Sequence, residues 1–196
     1  LMKVAIIGGG AAGFFAAFSV KEHHPEAQAT IFEKSDKLLA KVKISGGGRC
    51  NVTHSCFQAN KLSKFYPRGS KQLKKAFSQF QPKDTEAWFA ARGVALKTEA
   101  DGRMFPTTDD SQTIIDCFLG KTKALGIPVL KNHGVNSIKK QGDSWLVTTK
   151  EQQFICDAVV MAAGSSKKVW DLSQSLGHAV ISPVPSLFTF NIKDIR

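Results

Sequence analysis

Long apolar runs are missing from this 196-residue sequence. No stretch approaches the roughly 18–20 apolar residues that a membrane-spanning helix needs, so no membrane partner is expected. The opening, Leu1-Met2-Lys3-Val4, runs straight into a strand-like segment. It lacks the longer apolar core and small-residue cleavage site of a secretory leader. Cysteine is scarce: Cys50, Cys56, Cys117 and Cys156 stand far apart with no CxxC pair. That pattern argues against a disulfide framework and for reduced thiols in the cytoplasm. RNP-type motifs, zinc-finger spacing and internal repeats are also lacking, and no metal site is expected. What is present is ordinary globular material, with 42% hydrophobic and 22% charged residues and 16 glycines. Collagen-like, low-complexity and disordered classes are excluded, and the length suits one full-sized domain, or one plus part of another.

Acidic charge is lacking where basic charge is dense. Between Lys34 and Lys75 eleven basic residues face one acid, Asp36, a local +10 within a chain of net +11. A field of that strength attracts a polyanion, either a nucleic acid or a phosphate-bearing cofactor. A solvated lysine surface is the plainer alternative. With only Phe57, Phe65 and Tyr66 as aromatics there, nucleic-acid binding is the secondary reading.

Lys3–Ile7 is a short β-branched run ending at Gly8 and reads as a buried parallel strand. Ala11–His23, rich in Ala and Phe, reads as a buried helix stopped near Pro25. Ala29–Glu33 reads as a second strand, which completes a βαβ unit. Residues 34–69 are too long and too weakly periodic for an ordinary loop, and predict a functional excursion with short helical pieces. Helices are expected over Ser70–Phe80 and Pro82–Arg92, and short strands over Gly93–Thr98 and Arg103–Phe105. Asp109 or Asp110 should cap a helix running to Leu125 and closed by Gly126, before a third parallel strand at Ile127–Leu130. Val135–Lys140, Trp145–Lys150 and Gln153–Cys156 have the spacing of a three-stranded antiparallel meander. Asp157–Ala163 returns to a parallel strand, residues 167–176 to a helix, and Leu187–Ile192 starts another strand. The fold class is α/β: a Rossmann-like domain with parallel sheet, crossover helices and a three-stranded antiparallel β-meander. The domain spans residues 1–184, with a helical excursion over about 34–107, and 185–196 begins a second domain.

Gly8-Gly9-Gly10-Ala11-Ala12-Gly13 fits G-x-G-x-x-G. Gly8 permits the sharp strand-to-helix turn, Gly10 leaves bare backbone for a pyrophosphate, and Gly13 lets helix and strand pack closely. The free N–H groups around Ala11 and Ala12 and the helix dipole then favour phosphate. Glu33 lies twenty residues past Gly13, at the end of the second strand, where a carboxylate can accept hydrogen bonds from a ribose diol. The same carboxylate repels an adenosine 2′-phosphate, which favours FAD or NAD over NADP in this site.

Several stretches resemble the YhiN/BaiN-type conserved flavoproteins, a branch of the two-dinucleotide-binding-domain flavoproteins. They are VAIIGGGAAGFFAA (Val4–Ala17), IFEK (Ile31–Lys34), KVKISGGGRCNVTH (Lys41–His54), DGRMFP (Asp101–Pro106), VVMAAGSS (Val159–Ser166) and PSLFTFNI (Pro185–Ile192). SGGGRCN, followed in order by GRMFP, is the specific part. The resemblance runs over the entire chain. It implies FAD, reduced by NAD(P)H, with the pyrophosphate at Gly8, Gly10 and Gly13 and the adenosine ribose at Glu33. By the same likeness Lys34, Lys41, Arg49, Cys50 and Asn51 line the flavin side. Val135 touches adenine through its backbone, and Ala162, Ala163 and Gly164 pass close to the cofactor. The residues agree in kind: the bare backbone of Gly47 and Gly48 can lie on a flat ring, and Arg49 supplies a fixed cation that would stabilise a reduced, anionic flavin. Cys50 has no CxxC partner and reads as structural or merely adjacent. Two departures are visible: Ser165 stands where a second glycine is common, and His54 where the family often has Asn.

Family members continue past a PSLFTFNI-like stretch into a substrate or cap domain and then return to complete the FAD site. The likeness therefore implies that this chain is about half a family-sized protein. By itself it should bind FAD weakly or not at all, and a missing C-terminal half is its expected partner. The leading expectation is an enzyme, or enzyme half, that passes hydride from NAD(P)H through flavin to an organic small molecule. No catalytic side chain is assigned. A plain NAD-dependent dehydrogenase, which has no use for SGGGRCN, and an RNA-binding or RNA-modifying flavoprotein are the alternatives.

Overall fold

The computed structural model describes residues 1–184. The chain opens with β1 (Lys3–Ile7), α1 (Ala11–His23) and β2 (Gln28–Phe32). The excursion follows: α2 (Ala40–Ile44), a 3-10 turn at Ser45–Gly48, β3 (Thr53–His54), α3 (Ala59–Leu62), a second 3-10 turn at Ser63–Phe65, and α4 (Ser70–Phe77). Next come α5 (Pro82–Ala90), β4 (Leu96–Thr98), β5 (Arg103–Pro106), α6 (Ser111–Ala124) and β6 (Val129–Leu130). The described part ends with β7 (Ser137–Gln141), β8 (Ser144–Thr148), β9 (Gln153–Cys156), β10 (Ala158–Met161) and α7 (Lys167–Ser175).

The central sheet has the order β10-β1-β2-β6, with every pair parallel. Its residues are apolar on both faces because both faces are covered. Along β1, Val4 and Ile6 join one core cluster and Ala5 and Ile7 the other, none more than 4% exposed. The first cluster packs beneath α1, α5 and α6, where Phe14, Phe18, Trp88, Phe89 and Phe118 meet; the Phe14 and Phe118 ring centroids are 6.2 Å apart. The second packs beneath the antiparallel meander β7-β8-β9, where Phe154 meets Phe32 edge to face at 4.7 Å. The buried Phe14, Phe18, Phe32, Phe89 and Phe118 rings each contribute about 1.5–3 kcal/mol.

Local chemistry sets the element ends. The Asp110 carboxylate accepts the Gln112 N–H at 2.8 Å to cap α6. Pro82 opens α5, with Asp84 accepting the Gln81 N–H at 2.9 Å. The third parallel strand is shorter than Ile127–Leu130 suggested, because Pro128 has no N–H and contributes only its carbonyl, which accepts the Ile31 N–H. The helix over Ala11–His23 is less buried than its composition suggested. Only Gly13, Phe14, Ala17 and Phe18 are fully buried, since its first turn borders a cavity rather than the core. The excursion forms a small antiparallel sheet, β3-β5-β4, with the short helices around it. The strand expected at Leu187–Ile192 and the second domain expected from residue 185 lie outside the described residues.

Candidate dinucleotide site

A cavity of about 520 Å³ opens at the carboxyl ends of β1, β2 and β10. In an open parallel sheet this is where ligands sit, beside the point where strand order reverses. The glycines of the first turn divide the work there. Gly8 has φ +120°, and a Cβ on it would lie 2.6 Å from the Ala162 carbonyl oxygen. A Cβ on Gly13 would lie 1.9 Å from the Gly8 carbonyl oxygen. Both are fixed by the protein's own packing. Gly10 differs: a Cβ there would meet nothing within 4 Å, and the residue lines the cavity with Ala11 and Ala12. The open space is therefore on the side where a ligand's diphosphate would meet the N-terminal amides of α1.

Glu33 directly follows β2 and lines the same cavity. One carboxylate oxygen accepts the Gly9 N–H at 2.8 Å; the other accepts the Ser35 N–H at 3.0 Å and the Ser35 hydroxyl at 2.9 Å. A carboxylate accepts about four hydrogen bonds, so three are already committed to the loop. To receive both hydroxyls of a ribose, Glu33 must release the mobile Ser35 hydroxyl. Glu33 thus ties the glycine turn to the β2 end as well as facing the ligand space.

Lys34, Lys37, Lys41 and Lys168 surround this single acid on the cavity lining. Lys41 donates to the Ser165 hydroxyl at 2.5 Å, linking α2 to the β10–α7 turn across the opening. Lys168 donates to the Asn136 side-chain oxygen. α7 begins at this rim, with Ser165 and Ser166 lining the cavity. Two helix N-termini and four lysines therefore bear on one space, an electrostatic setting for a diphosphate.

Of the residues expected from the sequence, the structure brings Gly8, Gly10, Ala11, Ala12, Glu33, Lys34, Lys41, Val135, Ala162, Ala163 and Gly164 to this cavity. Gly13 sits behind it, as the contact that seats the helix. Gly47, Gly48, Arg49, Cys50 and Asn51 do not line it. Gly46 and Gly47 adopt left-handed φ of +56° and +69°, which closes SGGG into a tight turn, and a Cβ on Gly47 or Gly48 would meet nothing within 4 Å. A Cβ on Gly46 would meet the Phe105 ring at 2.8 Å. Arg49 is drawn to Glu99 by a direct hydrogen bond and to Asp109 at 3.5 Å, with its guanidinium 4.0 Å over the Phe105 ring. Its hydrogen bond to Glu99 raises its pKa further. Its charge is thereby spent on acids some fifty residues downstream, a pairing that local sequence does not show. Cys50 is 5% exposed, and burial pushes its thiol up, against a weaker opposing hydrogen bond with Ser45. That is the environment of an inert thiol.

Sequence reasoning missed Gly9, Ser35, Lys37, Ala40, Val42, Gly134, Ser165, Ser166, Lys168 and Val169 on the lining. Ser35 and Lys37 had a signal, since the turn following a ribose-facing acid borders the same site. Lys168 and Val169 had none before α7 was placed. Among the described residues no helix is long and apolar enough to cross a membrane.

The profile of a family described as HI0933-like protein Rossmann domain matches residues 2–184. The chain is 25% identical over 199 aligned positions to a 3-dehydro-bile acid delta(4,6)-reductase of Clostridium scindens, covering 97% of this chain and 48% of that protein. It is 23% identical to a ribosomal RNA dihydrouridine synthase of Haemophilus influenzae, covering 96% and 49%. The chain thus spans about half the length of the curated relatives it matches. Among solved structures it superposes on Thermovibrio ammonificans THI4 with a TM-score of 0.58 and 14% identity, covering 91% of this chain and 64% of that one. CtdE in complex with FAD and substrate 4 gives a TM-score of 0.50 at 16% identity, covering 86% and 39%. These two likenesses show the fold.

Proposed function

The chain belongs to the HI0933-like protein Rossmann domain family, and on that premise we propose that it is the dinucleotide-binding part of an FAD-dependent oxidoreductase. The reaction is reduction, by NAD(P)H, of a carbon–carbon double bond conjugated with a carbonyl group. One observation carries the cofactor reading. At the carboxyl edge of a parallel sheet, Gly10 alone of the three motif glycines faces open space, with Glu33 fastened beside it.

When bound, FAD would supply a two-electron carrier that takes hydride from a nicotinamide and yields it to an acceptor. This chain's residues do the holding. The amides at Gly10, Ala11 and Ala12 receive the diphosphate, and Glu33 receives ribose hydroxyls as Ser35 turns away. Val135 offers backbone to the adenine. Lys41, Lys168 and the α7 N-terminus raise the potential on the opposite rim and favour negative charge there. The Glu33 carboxylate disfavours an adenosine 2′-phosphate, so an NADPH-type reductant, if used, binds elsewhere. The acceptor class is supported by the names of the two relatives. One is a reductase of a dehydro bile acid, the other forms dihydrouridine, and both names describe hydrogen added to a ring double bond.

The test is titration of the purified chain with FAD, followed by flavin absorbance and fluorescence, with ADP-ribose as competitor. Binding of FAD that ADP-ribose displaces is the expected result, since every contact named above lies on the adenosine diphosphate. Anaerobic bleaching by NADH or NADPH then reports the reductant. Binding of NADH with no binding of FAD would replace the reading with a nicotinamide-dependent dehydrogenase.

A further inference from the structure

Lys41 and Ser165 stand 124 residues apart in sequence and meet at the mouth of the dinucleotide cavity, whose lining includes both. The backbone is fixed on each side of that meeting. On one side Lys41 follows Leu39, 1% exposed, and precedes the buried Val42. Leu39 also donates its N–H to the Gly9 carbonyl at 2.8 Å, which ties α2 to the glycine turn. On the other side the Trp170 indole N–H donates to the Gly164 carbonyl at 3.1 Å, which fastens the β10–α7 turn to α7. Gly164 has φ +59°, and a Cβ there would lie 3.7 Å from the Lys41 Nζ. The ammonium therefore rests against the turn, and the Ser165 hydroxyl accepts from it at 2.5 Å.

The partner of this ammonium is neutral. Among the described residues no carboxylate pairs with Lys41, or with Lys168, which the Asn136 side-chain oxygen holds on the same lining. Lys167, next to Lys168, pairs with Asp171 at 3.0 Å, and Lys97 and Lys121 find acids as well. A carboxylate would fix a lysine and cancel its charge. A hydroxyl fixes it and leaves the charge whole. An ammonium has three N–H donors, so the bond to Ser165 leaves two for an anion. Both residues are exposed, and a hydrogen bond between an exposed lysine and a neutral acceptor adds little to the fold. Its value lies in order: a free lysine stem must be immobilised when a ligand binds, and that ordering weakens binding.

We infer, on the dinucleotide reading of the cavity, that Ser165 is a positioning residue. It holds the Lys41 ammonium, undiminished in charge, ready for the diphosphate of the ligand. Its effect on binding passes through Lys41.

The experiment combines acetic anhydride footprinting, read by peptide mapping, with calorimetric titration of the full chain by ADP-ribose. Without ligand, Ser165→Ala should raise acetylation of Lys41 about 3-fold and leave Lys167 unchanged. Ser165→Thr, which keeps the hydroxyl, should match the parent. Affinity for ADP-ribose should fall about 5-fold in Ser165→Ala, since one long side chain must now be ordered. It should fall about 10-fold in Lys41→Gln, which loses the charge-assisted bond. The double variant should fall about 10-fold, whereas independent effects would multiply to about 50-fold. Inorganic pyrophosphate should protect Lys41 from acetylation in the parent. Equal acetylation of Lys41 in the parent and in Ser165→Ala would overturn the holding of Lys41. An independent double variant would overturn the route through Lys41 to the ligand. ADP-ribose bound equally by the parent and every variant would remove the positioning role and leave the dinucleotide reading standing. Pyrophosphate protection of Lys41 with no binding of ADP-ribose would keep Lys41 as an anion anchor and remove the dinucleotide reading.

Discussion

Adding one methyl group to the glycine turn should have opposite consequences three residues apart. At Gly13 the new Cβ would sit 1.9 Å from the Gly8 carbonyl oxygen. That oxygen belongs to the backbone between β1 and α1, so it cannot move without displacing the strand end. Alanine gains about 1 kcal/mol over glycine in a helix interior, yet overpacking against fixed atoms costs about 1–3 kcal/mol or more. With a contact this short the steric cost wins. Gly13→Ala should lose about 2 kcal/mol net, a fall in Tm of about 4–8 °C for a chain of this size. At Gly10 the added Cβ meets nothing within 4 Å, and the backbone (φ −95°, ψ −179°) is extended and open to any residue. Replacing an N-cap glycine by alanine costs about 0.5–1 kcal/mol. The less flexible unfolded chain returns about 0.4–1 kcal/mol. The two nearly cancel, so Gly10→Ala should melt within about 2 °C of the parent. Its methyl instead projects where a diphosphate must approach, and affinity for ADP-ribose and FAD should fall at least about 10-fold. Differential scanning fluorimetry without ligand, paired with ligand titration, separates the two variants. A ligand-free Gly10→Ala protein as unstable as Gly13→Ala, or one that binds FAD normally, would refute the assignment of the open space to a cofactor.

Glu33→Ala removes the acceptor of the Gly9 N–H and of two donors on Ser35. It should lower stability by about 1–3 kcal/mol and weaken ADP-ribose binding, while Glu33→Gln keeps part of both; calorimetric melting and titration read the two effects. The Asp109 carboxyl is held below its ordinary value, chiefly by its hydrogen bond with Lys97 and with help from Arg49. A depressed folded-state pKa gives stability that is present above the unfolded value, near 3.9, and lost as pH falls through the folded one. Melting curves from pH 6 to 2 should lose part of their acid slope in Asp109→Asn, a change that the left-handed backbone there (φ +54°) tolerates. Burial raises the thiols of Cys50 and Cys156. Both should resist iodoacetamide in the native chain at pH 8 while the half-buried Cys56 reacts, as peptide mapping would show. With raised folded values, these two thiols make the fold less stable as pH climbs past about 8.5 toward those values.

Much of this architecture was legible from periodicity. β1, β2 and β10 read as continuous apolar runs because both faces of the sheet are covered, and the meander read as three alternating runs because one face is solvated. The excursion was legible only as an excursion. Its strands and helices are two to nine residues long, too short to carry a period, and their partners lie far along the chain. Arg49 shows the limit most clearly. Beside three glycines it reads as a cation for a ring; in three dimensions Glu99 and Asp109 claim it.

The sequence by itself determined the parallel core, the glycine corner and the acid at the end of β2, since each follows from residue type at fixed local spacing. Tertiary structure alone decided that Arg49 turns to Glu99 and Asp109 and away from the cavity lining. It alone brought Lys41 to Ser165 and Lys168 to Asn136. Those are contacts between segments as much as 124 residues apart, and distance along the chain leaves no local pattern from which such a meeting can be read.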